Sequence, residues 1–167
     1  MVSKLRWATA VGVALAGIAL VSASCGDDSS TTPKGTASAQ TKPEVSAARV
    51  DVTVKEWSIS TAATSIKAGE VRFFAKNTGK ELHELIVLGS DTDPAKLPTY
   101  GPADKPAEGH AVGDVDEDKV TSSGEIDDIA VGATKDATFE LKPGKYVLFC
   151  NLPAHYAQGM RVAFTVN

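Results

Sequence analysis

The stretch "CNLPAHYAQGM", Cys150 to Met160, sets a thiol, an imidazole and a thioether at five-residue intervals with no charged side chain between them. The whole chain has three His, two Met and two Cys, so one of each within a single short stretch concentrates soft donors. Taken singly, each has an ordinary explanation. A Met in a core is usually filler, a buried Cys is commonly inert, and a His on a strand is most often structural. Together, as C-x4-H-x4-M, they offer one loop's worth of ligands that needs one more donor. His83, which opens "HELIVL" directly after the turn "NTGKE", is the best placed to supply it.

The chemistry of such a set is selective. Two imidazoles, one thiolate and a weak axial thioether suit copper cycling between Cu(I) and Cu(II). Zinc accepts Cys and two His, but it gains little from Met and favours water or a harder fourth ligand. The predicted site is therefore His83, Cys150, His155 and Met160 around one copper ion.

These donors must be held by β-structure. "RVDVTVKEW", "DATFELK" and "MRVAFTVN" alternate apolar and polar residues at period two, the mark of a half-buried strand. "EVRFFAKN", "HELIVLG" and "KYVLFC" are more continuously apolar, as strands covered on both faces would be. "KAGE", "NTGKE" and "KPGK" supply turns between them. No segment carries a convincing helical period, and an all-β, antiparallel β-sandwich is expected. Cys150 then falls at the end of a strand on the same face as Tyr146 and Leu148. Residues 151–159, with Pro153 and Gly159, read as a loop, and Met160 re-enters a strand on its apolar face. One segment departs from this rhythm. Residues 91–123 hold four Pro and three Gly with no strand pattern, and residues 91–128 carry eleven Asp/Glu against three Lys, a net charge of −8. This acidic stretch is expected to be a solvated surface excursion, with a docking surface as the alternative.

The N-terminus reads as targeting. "MVSKLRW" supplies positive charge ahead of an apolar run from Ala8 to Val21, too short and too rich in Ala and Gly for a membrane span. Cys25 follows among small residues, in a pattern that resembles a bacterial lipobox with Ser22 in place of the usual Leu. Residues 1–24 are thus expected to be a signal peptide, and Cys25 the site of lipidation. An ordinary secretory signal cut near Ala23 is the alternative. Residues 25–48 read as a disordered tether, since residues 26–48 carry eight Ser or Thr and almost no large apolar side chain. Residues 49–167 make one domain. It carries 13 Lys/Arg against 18 Asp/Glu, with no basic patch of the kind that nucleic acid requires. The expected location is extracytoplasmic, on the outer face of the cell membrane through a lipid on Cys25.

The segment "KYVLFCNLPAHYAQGMRVAFTV" resembles the ligand loop of the cupredoxins, the blue copper proteins, and "NTGKELHEL" resembles their first His segment. The C-x4-H-x4-M spacing is most similar to the rusticyanin, auracyanin and sulfocyanin branch. The resemblance covers residues 49–167 apart from the acidic insertion, and it implies a Greek-key sandwich with the four ligands named above. Three positions depart from the family pattern. Glu84 stands where many members have an Asn that ties two ligand loops together. Pro153-Ala154-His155 replaces the branch's Pro-Gly-His, and Ala tolerates positive φ less well than Gly. The lengthened 91–123 segment is the third.

A single-electron carrier is the leading function, acting as a monomer with redox proteins as partners. In a cupredoxin the edge of the second His reaches the surface, so Leu152, Pro153, Ala154, Tyr156 and Ala157 would form an apolar docking collar around His155. A copper carrier or store without electron transfer is the alternative, although a Met-rich entry is absent from the sequence after Met1. An enzyme is disfavoured by counting. Only His110 remains once His83 and His155 are used, too few for a further copper centre, and it is expected to be an exposed loop residue.

Overall fold

The computed structural model describes residues 47–167. The signal peptide, Cys25 and nearly all of the tether lie outside the described residues. Ala48, read above as the tether's last residue, already opens the first strand, β1 (Ala48–Lys55).

Two sheets face one another. One has the order β2-β1-β4-β7 and is built from β1, β2 (Ser58–Thr61), β4 (Gly69–Asn77) and β7 (Thr134–Leu141). The other has the order β3-β9-β8-β5-β6, from β3 (Ser65–Ile66), β5 (His83–Gly89), β6 (Ser122–Ile129), β8 (Gly144–Phe149) and β9 (Arg161–Val166). The expected sandwich is present. Its pairing is mixed, however, because β1 runs parallel to β4 and β3 parallel to β9, while the remaining pairs are antiparallel.

Period-two patterning decides which side chains enter the space between the sheets. Val50, Val52 and Val54 of β1, Val71, Phe73 and Ala75 of β4, Leu85 and Val87 of β5, Leu148 of β8 and Phe164 and Val166 of β9 form one buried core. Cys150 and Met160 belong to that same core. The continuous apolar reading of "EVRFFAKN" was wrong for β4. Its outer face carries Arg72 and Lys76, and Phe74 lies there beneath the guanidinium of Arg49, 3.7 Å from its ring centroid.

For β5 and β8 the same reading holds, and residues 91–123 are the reason. That segment folds back over the outer face of the second sheet. Leu97 and Val115 join Ile86, Leu88, Val147, Phe149 and Tyr156 in a second buried cluster. Two short 3-10 turns, Pro94–Lys96 and Glu117–Lys119, and a bridge between Thr99 and Val115 give the segment its shape. The expectation of a solvated excursion is corrected here. The insertion is acidic outside and apolar beneath, and it supplies one side of a second core.

Candidate metal centre

Strand register brings the predicted donors to one end of the second sheet. Ile86 of β5 pairs with Phe149 of β8 in an antiparallel ladder, so the start of β5 lies beside the end of β8. His83 is at that start, and Cys150 directly follows β8. The chain then makes a single helical turn, α1 (His155–Gln158), where a plain loop was expected. Gly159 closes the turn with φ 118°, its N–H bonded to the Tyr156 carbonyl. The backbone N–H of Cys150 donates to the Met160 carbonyl at 3.1 Å, which extends the β8–β9 ladder to the residues of the loop's two ends.

The donors converge. His83 Nδ1 and His155 Nδ1 are 3.2 Å apart, and Cys150 Sγ is 3.3 Å from His155 Nδ1. His83, Cys150, His155 and Met160 are all buried, and three of them are fully so.

The outer nitrogens of both rings face carboxylates: His83 Nε2 lies 3.2 Å from Glu56 Oε1, and His155 Nε2 3.4 Å from Glu81 Oε2. A carboxylate can only accept, which places the ring proton on each Nε2. Both Nδ1 atoms then present lone pairs toward one another and toward the thiol sulfur. The two facing nitrogen lone pairs repel one another, and a cation among the three donors relieves that repulsion. It is the arrangement in which carboxylates orient histidines that ligate a metal. The residues therefore fit a metal ion, and a soft thiolate with imidazoles selects copper over harder ions.

Glu56 was not singled out from the sequence, yet it organises the approach to His83. Burial works against its charged form. The backbone N–H groups of Glu81 and Lys80, each 2.7 Å from Oε1, and the His83 ring outweigh that, and its carboxyl is lowered to about 2. Gly79 is required by this contact, since a Cβ there would stand 2.3 Å from Glu56 Oε1. Fully buried Asn77 shapes the same turn from beneath. Its side chain donates to the carbonyls of Glu81 and Ile129 and accepts the Gly79 N–H. Burial also pushes the Cys150 thiol up to about 12, against the hydrogen bonds it receives from the Glu84 and Leu152 N–H groups. The metal-free thiol is thus neutral, and a cation must displace its proton. Burial, followed by repulsion from His83, lowers the His155 imidazole from its ordinary value.

The ligand loop is bound to the insertion at three points. Asn151 receives the Val115 N–H on its side-chain oxygen at 2.7 Å, and its amide donates to the Val115 carbonyl and to Glu117. Asp114 accepts the Ala154 N–H at 2.8 Å. The Tyr156 hydroxyl donates to the Pro94 carbonyl at 2.6 Å and accepts the Leu97 N–H. Three expectations change as a result. Tyr156 points inward against Phe149 and is not part of an exposed collar. His110 is half-buried, packed toward Tyr100 and 3.4 Å from Asn151 Nδ2. His155 is only 6% exposed, because Trp57 stands edge-on to its ring at 5.1 Å and Glu81 meets its Nε2. Trp57 and Leu82, at 37% and 42% exposure, are the large apolar side chains that reach solvent here. Neither belonged to the predicted collar, since both lie on turns distant in sequence from the loop.

Comparison with known proteins agrees with this geometry. The family model for copper binding proteins of the plastocyanin/azurin family matches residues 46–167. The chain belongs to that family, and copper is its cofactor. Among solved structures, a dithionite-reduced auracyanin from the photosynthetic bacterium Roseiflexus castenholzii superimposes with a TM-score of 0.52 at 21% identity, covering 72% of this chain and 98% of that one. Auracyanin B gives 0.51 at 24% identity, covering 72% and 89%. No curated protein sequence matches.

Proposed function

We propose that this protein is an extracytoplasmic single-electron carrier in which His83, Cys150, His155 and Met160 hold one copper ion. The observation that carries the reading is the convergence of the His83 Nδ1 and the Cys150 sulfur within 3.3 Å of the His155 Nδ1, at the buried end of a sandwich. Copper in such a site supplies one-electron chemistry, cycling between Cu(I) and Cu(II). The chain's part is to hold the donors still. Each imidazole meets a carboxylate at its far nitrogen, the thiol is held where two strand ends meet, and Met160, buried in the same core, would supply a weak thioether donor. A site held this way reorganises little between oxidation states.

The leader pattern and the cysteine at position 25 support export and lipid anchoring. The partners are other redox proteins, met through a small and weak interface that allows rapid release.

Adding Cu(II) and recording the visible spectrum tests the site. One copper per chain and an intense sulfur-to-copper charge-transfer band are expected. Cys150→Ser should abolish the band whatever copper it retains, and an equally coloured variant would refute the assignment.

A further inference from the structure

Ala154 is the one non-glycine residue of the ligand loop held in the left-handed region, at φ 68° and ψ −3°. A Cβ makes this conformation costly, and glycine is its usual occupant. Ala154 is also the residue from which α1 starts, its carbonyl taking the Gln158 N–H at 3.0 Å, and His155 is the next residue. Whatever holds Ala154 in place therefore sets where the His155 ring points.

Asp114 is in position to do so. It is fully buried, and its two carboxylate oxygens divide their work: Oδ1 accepts the Ala154 N–H at 2.8 Å, and Oδ2 accepts the Ala111 N–H at 2.7 Å. Its own backbone is pinned as well. The Asp114 N–H donates to the Ala111 carbonyl, and its carbonyl takes the Tyr100 N–H at 3.0 Å. The next residue, Val115, is tied to Asn151 and sits in the second core. A carboxylate anchored in this way cannot follow the loop, so the loop must follow it.

We propose that Asp114 is a positioning residue of the metal centre: its carboxylate fixes Ala154 in the left-handed conformation and thereby aims His155. The proposal rests on the copper reading for its functional meaning and on the loop geometry for its substance. A chain with glycine at this position needs no such anchor. Here alanine occupies it, and the insertion supplies the compensation. A second consequence follows from charge. A buried carboxylate bonded to the residue before His155 favours the more positive metal state.

The test compares the full chain with Asp114→Ala, Ala154→Gly and the double variant. In metal-free protein, Asp114→Ala should speed hydrogen exchange at the residue-154 amide by about tenfold, the scale of one buried hydrogen bond. In copper-loaded protein, the same variant should release Cu(I) to bathocuproine disulfonate faster, and the double variant should recover most of the loss because glycine accepts positive φ freely. The reduction potential should rise in Asp114→Ala and stay raised in the double variant, since glycine restores the loop and not the charge. A structural role alone would not separate those two readouts. Unchanged exchange at residue 154, or a double variant that releases copper as fast as Asp114→Ala, would overturn the proposal. Should Asp114→Ala fail to fold, a folded double variant supports the anchor, and an unfolded one overturns it. A wild-type protein without a charge-transfer band would instead defeat the copper reading, while the exchange arm would still decide the anchor.

Discussion

The backbone N–H of Asn151 donates to Glu84 Oε1 at 2.7 Å, while the backbone N–H of Glu84 points at Cys150 Sγ from 3.5 Å. The residues that follow His83 and Cys150 therefore lace together the two strand ends that present them. Glu84 stands where many family members carry a linking Asn, and it makes the link by a different route, with its longer side chain reaching the neighbouring backbone. Burial raises its carboxyl above the usual range, against the Asn151 hydrogen bond that favours the charge.

Glu84→Ala should destabilise the domain by about 1–3 kcal/mol, the cost of leaving the buried Asn151 N–H without a partner. Glu84→Gln keeps a carbonyl oxygen in reach and should lose much less. Denaturant melts of metal-free protein decide it. Equal losses in the two variants would show that the link does not depend on an acceptor at Glu84.

Met160 is fully buried in the core it shares with Cys150. As a weak thioether donor to copper it would contribute little affinity and tune the potential. Met160→Gln, which offers a harder oxygen, should lower the reduction potential by favouring Cu(II), with copper still bound. Cyclic voltammetry reads this directly, and an unchanged potential would place the thioether outside the metal's reach.

The insertion's place in the fold makes a stability prediction. Val115 is fully buried between the insertion and the second sheet. Val115→Ala should cost about 2 kcal/mol, and lower the Tm by roughly 5–10 °C. A melting temperature equal to that of the parent would return the segment to passive surface.

Much of this arrangement was legible in the sequence, for definable reasons. Val50, Val52 and Val54, like Phe164 and Val166, report their faces because a strand buries every second residue. The donors were legible because thiol, imidazole and thioether are rare in this chain and their spacing is short. The insertion was not, because Leu97, Tyr100 and Val115 are isolated among Pro, Gly and acids and show no period. The signal for its packing lay elsewhere, in the unbroken apolar runs of β5 and β8, whose outer faces had to be covered by something. Phe74 made the same signal misleading in β4, where arginine guanidinium groups do the covering. Glu56, Asp114 and Asn151 act by side-chain bonds to backbone far away in sequence, and no local pattern encodes those.

A pH-dependent stability follows from Glu125. Its side-chain hydrogen bond with Asp127 comes first, then burial, then repulsion from Asp127, Glu84 and Glu117, and its carboxyl is raised to about 7. A carboxyl raised above its ordinary value of 4.5 favours the folded state when protonated. That contribution is complete below pH 4.5, fades as pH rises toward 7, and is absent above it. Glu125→Gln should therefore raise the Tm at pH 8 and leave it nearly unchanged at pH 4. Solvent screening at this exposed position holds the gain to under about 1 kcal/mol. Thermal melts across that range test it, and a gain of equal size at pH 4 would assign the effect to packing and not to charge.

The last prediction separates steering from contact in electron transfer. Deleting residues 92–122, the obvious way to remove the acidic surface, would also remove Leu97 and Val115 from the second core and Asp114 from the loop. Charge substitutions avoid that damage. Glu108 and Asp118 are exposed, and their carboxylates make no hydrogen bond among the described residues. Glu108→Gln with Asp118→Asn lowers the negative charge and leaves the core intact. With a cationic partner such as a basic cytochrome c, this variant should slow transfer severalfold at low ionic strength through weaker steering, and converge with the parent once the screening length falls well below 10 Å. Leu82→Asp should behave differently. Leu82 is 42% exposed between Glu81, which meets His155 Nε2, and His83 itself. A charge there must be desolvated whenever a partner closes on the site, so transfer should be impaired at every salt concentration. A stopped-flow salt series on both variants, each first shown to keep its charge-transfer band, makes the comparison. Parallel salt dependence in the two would mean that Leu82 lies outside the contact and that electrons leave by another face.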